Sequence, residues 1–144
     1  MATSAFNSQG TLISRESDTT PGTFVAIAEI RSFSGPGGTA AVIDATTLGS
    51  DGKEKIMGLA DEGTLSLEMN FVPGDSGQQA LLMDRSLQRR KQFKITFSDV
   101  NNATATLFAY VTGFTIGGGV DALTTATVTL EVTGALVWDF DPGP

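Results

Sequence analysis

"TLSLEMNFV", residues 64–72, decides the fold: Leu65, Leu67, Met69 and Phe71 fall on one side, with Thr64, Ser66, Glu68 and Asn70 on the other. A two-residue period marks a strand with one buried face. "KQFKITFSD" (91–99) repeats the pattern with Phe93, Ile95 and Phe97 inside, and "ATVTLEVTG" (126–134) with Val128, Leu130 and Val132 inside a threonine-rich outer face. "GTFVAIAEIRSF" (22–33) and "TAAVIDAT" (39–46) read as two earlier strands. "ATATLFAYVTGFTI" (103–116) is apolar on both faces around Leu107 to Val111. Such a strand lies in the middle of a sandwich or presses one face against a partner.

A single helix interrupts the strands. "DSGQQALLMDRSLQRR" (75–90) follows the Pro73-Gly74 turn, with Asp75 or Ser76 as N-cap and Gln78 or Gln79 completing a capping box. Ala80, Met83 and Leu87, joined by Leu81, predict its buried face, and Arg85, Arg89 and Arg90 sit where the helix dipole favours cations. The fold class expected is mostly β: an antiparallel sandwich or barrel with one packed helix and a long inter-strand loop. One domain spans residues 1–144, with an N-terminal arm at about 1–10 and a short C-terminal tail at 140–144.

Composition narrows the function. The chain has no His and no Cys, so it lacks the commonest general base, the commonest metal ligand and the thiol nucleophile. Sixteen acids face nine bases, a net charge of −7, which disfavours a tight grip on nucleic-acid phosphate. The bases are unevenly placed: Arg85, Arg89, Arg90, Lys91 and Lys94 gather in residues 84–94, leaving four bases against 15 acids elsewhere. That cluster reads either as a solvated helix end or as a patch for an acidic neighbour. No apolar run is long enough to span a membrane, and "MATSAFNSQG" lacks the basic and hydrophobic parts of a signal peptide, so cytoplasmic synthesis is expected.

Motifs for small ligands are weak. "IGGGV" (116–120) lies between two strands, with no lysine and no helix start, and reads as a β-turn. "DGKEK" (51–55) and "DFD" (139–141) lack the ligand spacing of a calcium loop. Asp61 and Glu62 are adjacent, unlike carboxylates that face each other across a sugar. Asn102-Ala103-Thr104 is a glycosylation sequon with no secretory context. No catalytic residue, metal site or cofactor is expected.

The segment "TTLGSDGKEKIMGLADEG" (46–63) reads as an 18-residue loop carrying apolar Ile56, Met57 and Leu59 on a charged stem. Long structureless loops in compact domains are usually functional, and this one is expected to be a contact arm for another copy of the chain.

The order of these motifs resembles that of tail tube proteins (major tail proteins) of long-tailed bacteriophages. The resemblance runs from Asp44 to Gly134, through "TTL…KE.I.GL.D.GTL", "D.GQQAL" and "Y.T.F…GVD…..A.VTL.V.G". It implies a structural virion protein whose homohexameric rings stack into a tail tube, with each subunit's inner sheet joining one continuous barrel. It implies partners as well: other copies of the chain, a tape-measure protein in the lumen, and tail terminator and tip proteins. DNA would pass through without specific binding, there would be no membrane insertion, and the location would be the phage tail.

Site residues follow from combining the two readings. Leu48, Lys53, Glu54, Lys55, Ile56, Met57, Leu59 and Asp61 are the expected inter-ring contacts. Arg85, Arg89, Arg90 and Lys91 form the expected inter-subunit basic patch, and Glu68 and Glu131 are candidate lumen acids. The alternatives are a capsid decoration or tail terminator protein, and a monomeric β-sandwich module binding carbohydrate or a host surface. The single Trp138 and single Tyr110 are few and far apart for such a module's groove.

Overall fold

The computed structural model describes residues 9–20, 22–49, 51–99 and 101–140. Most of the expected N-terminal arm and C-terminal tail lie outside the described residues. The element order is β1 (Leu12–Glu16), β2 (Phe24–Ala26), β3 (Ile30–Ser34), β4 (Thr39–Asp44), β5 (Lys55–Asp61), β6 (Thr64–Asn70), α1 (Ser76–Leu87), β7 (Arg90–Thr96), β8 (Thr104–Gly119) and β9 (Ala122–Asp139). The fold is mostly β and antiparallel with one helix. Seven strands form one sheet in the order β2-β1-β7-β8-β9-β6-β3, and β4 pairs with β5 apart from it.

The long β8–β9 hairpin organises the sheet. β7 pairs with the first half of β8, Thr104 to Tyr110, whereas β6 pairs with the first half of β9, Thr125 to Glu131. The two flanking groups of strands therefore attach at opposite ends of the ribbon and on opposite edges. Register shifts between Thr106 and Phe108 and between Val111 and Gly113 add local twist where the sheet folds over. Phe33 of β3 then reaches Phe97 beyond the end of β7, with ring centroids 6.4 Å apart.

The core lies inside this fold. Leu65, Leu67 and Met69, Phe93 and Ile95, and Val128, Leu130 and Val132 are all buried in one cluster, as the alternation predicts. Ile13, Ile27, Leu107, Ala109, Val111, Ala126 and helical Leu81 complete it. Phe71 and Phe97 are only partly buried and pack at its margin.

The helix turns a different face inward from the one expected. Gly77, Gln78, Leu81 and Asp84 are its buried residues, while Met83 and Leu87 stand exposed. Two polar side chains anchor this orientation. Gln78 accepts from the Val72 N–H at 2.9 Å and donates to the Ala28 and Asn70 carbonyls at 3.1 and 3.0 Å, so its amide fastens two loops. It therefore does not act as a capping-box partner; Asp75 alone caps the helix by accepting from the Gln78 N–H at 3.1 Å. Asp84 is fully buried and receives Arg15 Nε at 2.5 Å and Nη2 at 2.7 Å from strand β1. Burial opposes the Arg15 charge, but hydrogen bonds to Asp84 and Asp18 outweigh it and raise the Arg15 pKa.

Residues 46–63 are not a structureless loop. Their second half is strand β5, which pairs with β4 through Val42↔Met57, Ile43↔Ile56 and Asp44↔Lys55. The connecting turn is pinned by Thr46, which accepts from the Glu54 N–H at 2.8 Å and donates to the Glu54 carbonyl at 3.3 Å. The root of the hairpin is a close crossing of two backbone segments. A Cβ at Gly38 would collide with the Asp61 carbonyl, and one at Gly63, which also has φ 73°, would collide with the Gly37 carbonyl. Only glycine allows the chain to pass so near itself here.

Removing Asp84 should strand the buried Arg15 charge. We expect Asp84→Ala to cost about 3–5 kcal/mol in urea unfolding. The paired change Arg15→Met/Asp84→Leu should recover most of that loss. A single-variant cost below about 1 kcal/mol would show that Asp84 does not hold the helix to β1.

Candidate assembly surfaces

The β4–β5 hairpin is apolar on both faces, and both stand exposed among the described residues. Residues opposite each other in a strand pair share a face, so Val42 joins Met57 on one side and Ile43 joins Ile56 on the other, while Leu59 falls in the register shift between these pairs and Ala40↔Ala60. All five are exposed; Leu59 retains 95 % and Met57 70 % of its surface. Leu48 in the connecting turn is fully exposed. None of these side chains belongs to the core cluster. Lys53, Glu54 and Lys55 are exposed beside them, while Asp61 accepts from the Gly63 N–H at 3.0 Å and shapes the hairpin's exit. An isolated two-stranded hairpin is marginally stable in water. The contact residues expected from sequence are thus brought together, but as the two faces of a ribbon rather than the tip of a loop.

The basic cluster separates into two groups. Arg89 and Lys91 are neutralised within the chain: Arg89 Nη2 lies 2.9 Å from Asp84 Oδ1, and Lys91 Nζ lies 2.7 Å from Asp18 Oδ1. Arg15 joins them through Asp18 at 3.1 Å. These cations hold the helix end, β1 and β7 together, a use that the local run of charge did not reveal. Asp18 is held down to about 2, first by its hydrogen bond with Lys91 and then by Arg15, against slight burial. Arg85 and Arg90 make no ion pair among the described residues. Arg85 borders a shallow groove with Gln88, Tyr110, Val111 and Thr112, and the Arg90 guanidinium lies 4.5 Å from the centre of the Phe108 ring.

The candidate lumen acids sit on one outer sheet face. Glu68 stands opposite Thr127, and Glu131 opposite Thr64. Both are exposed, among Ser32, Ser66 and Thr129, and Ser32 Oγ donates to Glu68 at 3.2 Å. This surface of small hydroxyls has no lysine or arginine in its β6 or β9 rows.

Two further exposed groups escaped the sequence reading. Ile116, Val120 and Leu123 project from the β8–β9 turn. Trp138 stacks between Phe97 and Phe140, at 5.9 and 5.5 Å, and remains half-exposed with its neighbour Phe140. Strand alternation could have flagged Trp138, but ring stacking along the end of β9 depends on the fold. Among the described residues, no three acidic side chains converge on a point that could hold a metal ion.

A family model described as "Lambda phage tail tube protein, TTP" matches residues 5–139 of the chain. Among solved structures, the SPP1 tail tube superposes with a TM-score of 0.73 at 16 % identity, covering 95 % of this chain and 80 % of that one. The tail of an empty GTA particle, refined with C6 symmetry, gives 0.73 at 19 % identity and covers 94 % and 99 %. The anti-feeding prophage baseplate contains a chain that gives 0.69 at 19 % identity, covering 99 % and 100 %. No curated protein matches the sequence. At these identities the likeness concerns the fold.

The Asp18 contacts have a defined pH signature. A carboxyl whose pKa is lower folded than unfolded stabilises the fold above its ordinary value of 3.8 and loses that contribution as pH falls to about 2. Asp18→Asn should therefore lower the urea midpoint near neutral pH, with the gap to the parent chain closing as pH falls through about 2. A difference that stays constant across that range would show that the Asp18 charge contributes nothing.

Proposed function

The chain belongs to the lambda phage tail tube protein family, and on that premise we propose that its subunits form hexameric rings that stack into the tail tube through which the genome leaves the capsid. It is a structural component of a tube and not an enzyme. Its place is a virion or phage-like particle. The six-fold symmetry belongs to the GTA tail by name, and we extend it to this chain through the shared fold.

The observation that carries the assembly reading is the two-sided apolar hairpin. Burying Met57 or Leu59 in a neighbour contributes about 1.5–3 kcal/mol per side chain, whereas an exposed ion pair contributes about 0–1 kcal/mol. Apolar burial therefore supplies the affinity between rings, and Lys53, Glu54, Lys55 and Asp61 set its direction. The glycine crossing at the root fixes where the hairpin leaves the subunit. Its partner is the next ring, and its role is the inter-ring contact.

The hydroxyl-and-acid face of β6 and β9 suits a channel wall. Serines and threonines present a smooth surface, and Glu68 and Glu131 repel a polyanion, so DNA slides without binding. A tape-measure protein fills that lumen before ejection, and terminator and tip proteins close the ends. Tube terminators appear by name among similar structures, as in an extracellular contractile injection system and the anti-feeding prophage cap.

Two outcomes test this function. Serine at Val42, Ile56, Met57 and Leu59 should leave a subunit that unfolds like the parent chain, since none lies in the core, but forms no tubes in electron micrographs. Normal tubes from this variant would remove the arm from the mechanism. Separately, Glu68→Lys/Glu131→Lys tubes should bind duplex DNA at about 0.15 M salt with a strong salt dependence, while parent tubes should not. If the lysine tubes also ignore DNA, the β6–β9 face does not line the channel.

A further inference from the structure

We propose that the outer face of the β1–β7–β8 layer is the seat for the β4–β5 hairpin of a second copy of this chain. The proposal rests on the reading of the hairpin as an inter-ring arm and adds where that arm binds. β7 alternates Phe93 and Ile95 inward with Arg90, Gln92 and Lys94 outward. The register places Arg90 opposite Tyr110, Gln92 opposite Phe108 and Lys94 opposite Thr106. Two cations on this face are mounted on aromatic rings: Arg90 over Phe108 and Lys94 over Phe24, each at 4.5 Å. Phe108 and Tyr110 stay 36 % and 40 % exposed, and Leu12 on the neighbouring strand 51 %. β8 thus presents two partly exposed rings on a face that the described residues cover only in part.

Charge identifies the occupant. Arg90 and Lys94 form no ion pair among the described residues, in contrast to Arg89 and Lys91 on the same stretch of chain. The hairpin with its exit, residues 39–62, carries Asp44, Asp51, Glu54, Asp61 and Glu62 against Lys53 and Lys55, a net of −3. It is therefore both acidic and apolar, the two properties that Arg90, Lys94 and the exposed rings select; Glu16, opposite Phe24, is the carboxylate on the same face. The other outer sheet face offers the arm hydroxyls, Glu68 and Glu131, and would repel it. Glu131 stands opposite Tyr110 at the border between the two faces and marks where the seat ends. A cation held over a ring keeps its N–H groups available to a carboxylate, and excluding water strengthens its attraction to the ring. Joining one patch to a different patch on an identical copy makes a heterologous contact, which continues as an open stack rather than closing as a dimer.

The chain has no cysteine, so engineered thiols report the contact cleanly. In tubes of Met57→Cys/Gln92→Cys, a short bis-maleimide should link chains into a ladder on a denaturing gel, and either single variant should give no such ladder. Tubes that assemble without a ladder overturn the seat and leave the arm intact, provided that the serine hairpin variant still fails to form tubes. If the serine variant forms tubes, the arm reading itself has failed. Arg90→Glu/Lys94→Glu provides a second readout should the thiol pair not assemble. It should fold normally and assemble at least about tenfold more slowly at low salt, with the gap closing as salt rises. An unchanged rate at low salt would overturn the proposal.

Discussion

The antiparallel pairing of β8 with β9 is the constraint on which the rest of the subunit depends. Strands of 16 and 18 residues reach about 53–60 Å when extended, well beyond what one layer of a small domain needs. The surplus length lets β7 attach to one end of the ribbon and β6 to the other. Folding the ribbon brings both sets of inward side chains into one core and leaves two outer surfaces that meet where Tyr110 stands opposite Glu131. Those faces differ in chemistry because their strands do: hydroxyls and glutamates on β6 and β9, cations and aromatic rings on β7 and β8. A tube wall needs such a distinction between its inner and outer sides.

The second determinant is apolar surface that the chain leaves uncovered. Val42, Ile43, Ile56, Met57 and Leu59 are placed on a ribbon that adds nothing to the core. A monomeric protein rarely keeps an exposed patch of this kind. The glycine crossing beneath it shows that the ribbon is positioned rather than left over, since Gly38 and Gly63 admit no side chain. Internal charges are assigned separately. Asp84 and Asp18 consume Arg15, Arg89 and Lys91 to fix the helix against β1 and β7. Arg90 and Lys94 form no ion pair among the described residues, so the cluster combines a structural half with an outward half.

Much of the fold was legible in the sequence because period-two alternation reports burial directly. Leu65, Leu67, Met69, Phe93, Ile95, Val128, Leu130 and Val132 could be placed from their spacing alone. The helix start was legible to within one residue, Asp75 or Ser76, because a cap is a local interaction; Asp75 is the cap. The buried face of the helix was not. Gln78 and Asp84 turn inward because they meet loop carbonyls and Arg15, distant partners that an apolar count cannot see. Strand β5 was hidden because Gly58 and the flanking charges break the alternation, and only pairing with β4 supplies its hydrogen bonds. The apolar residues of the ribbon can be grouped from the sequence, but their division between two faces follows from the register. The split of the basic cluster was illegible because Asp18 is remote in sequence from Lys91.

Hydrogen exchange across the β4–β5 hairpin tests the central claim most directly, comparing free subunits with assembled tubes by mass spectrometry. A ribbon with no cover in its own chain should exchange its amides quickly in the subunit, near the rate of a fraying element. In tubes, residues 42–43 and 56–59 should become strongly protected, while core strands β6 and β9 are already slow in both states. Equal exchange of the hairpin in subunit and tube would contradict the account, since the apolar ribbon would then have no partner in the assembly.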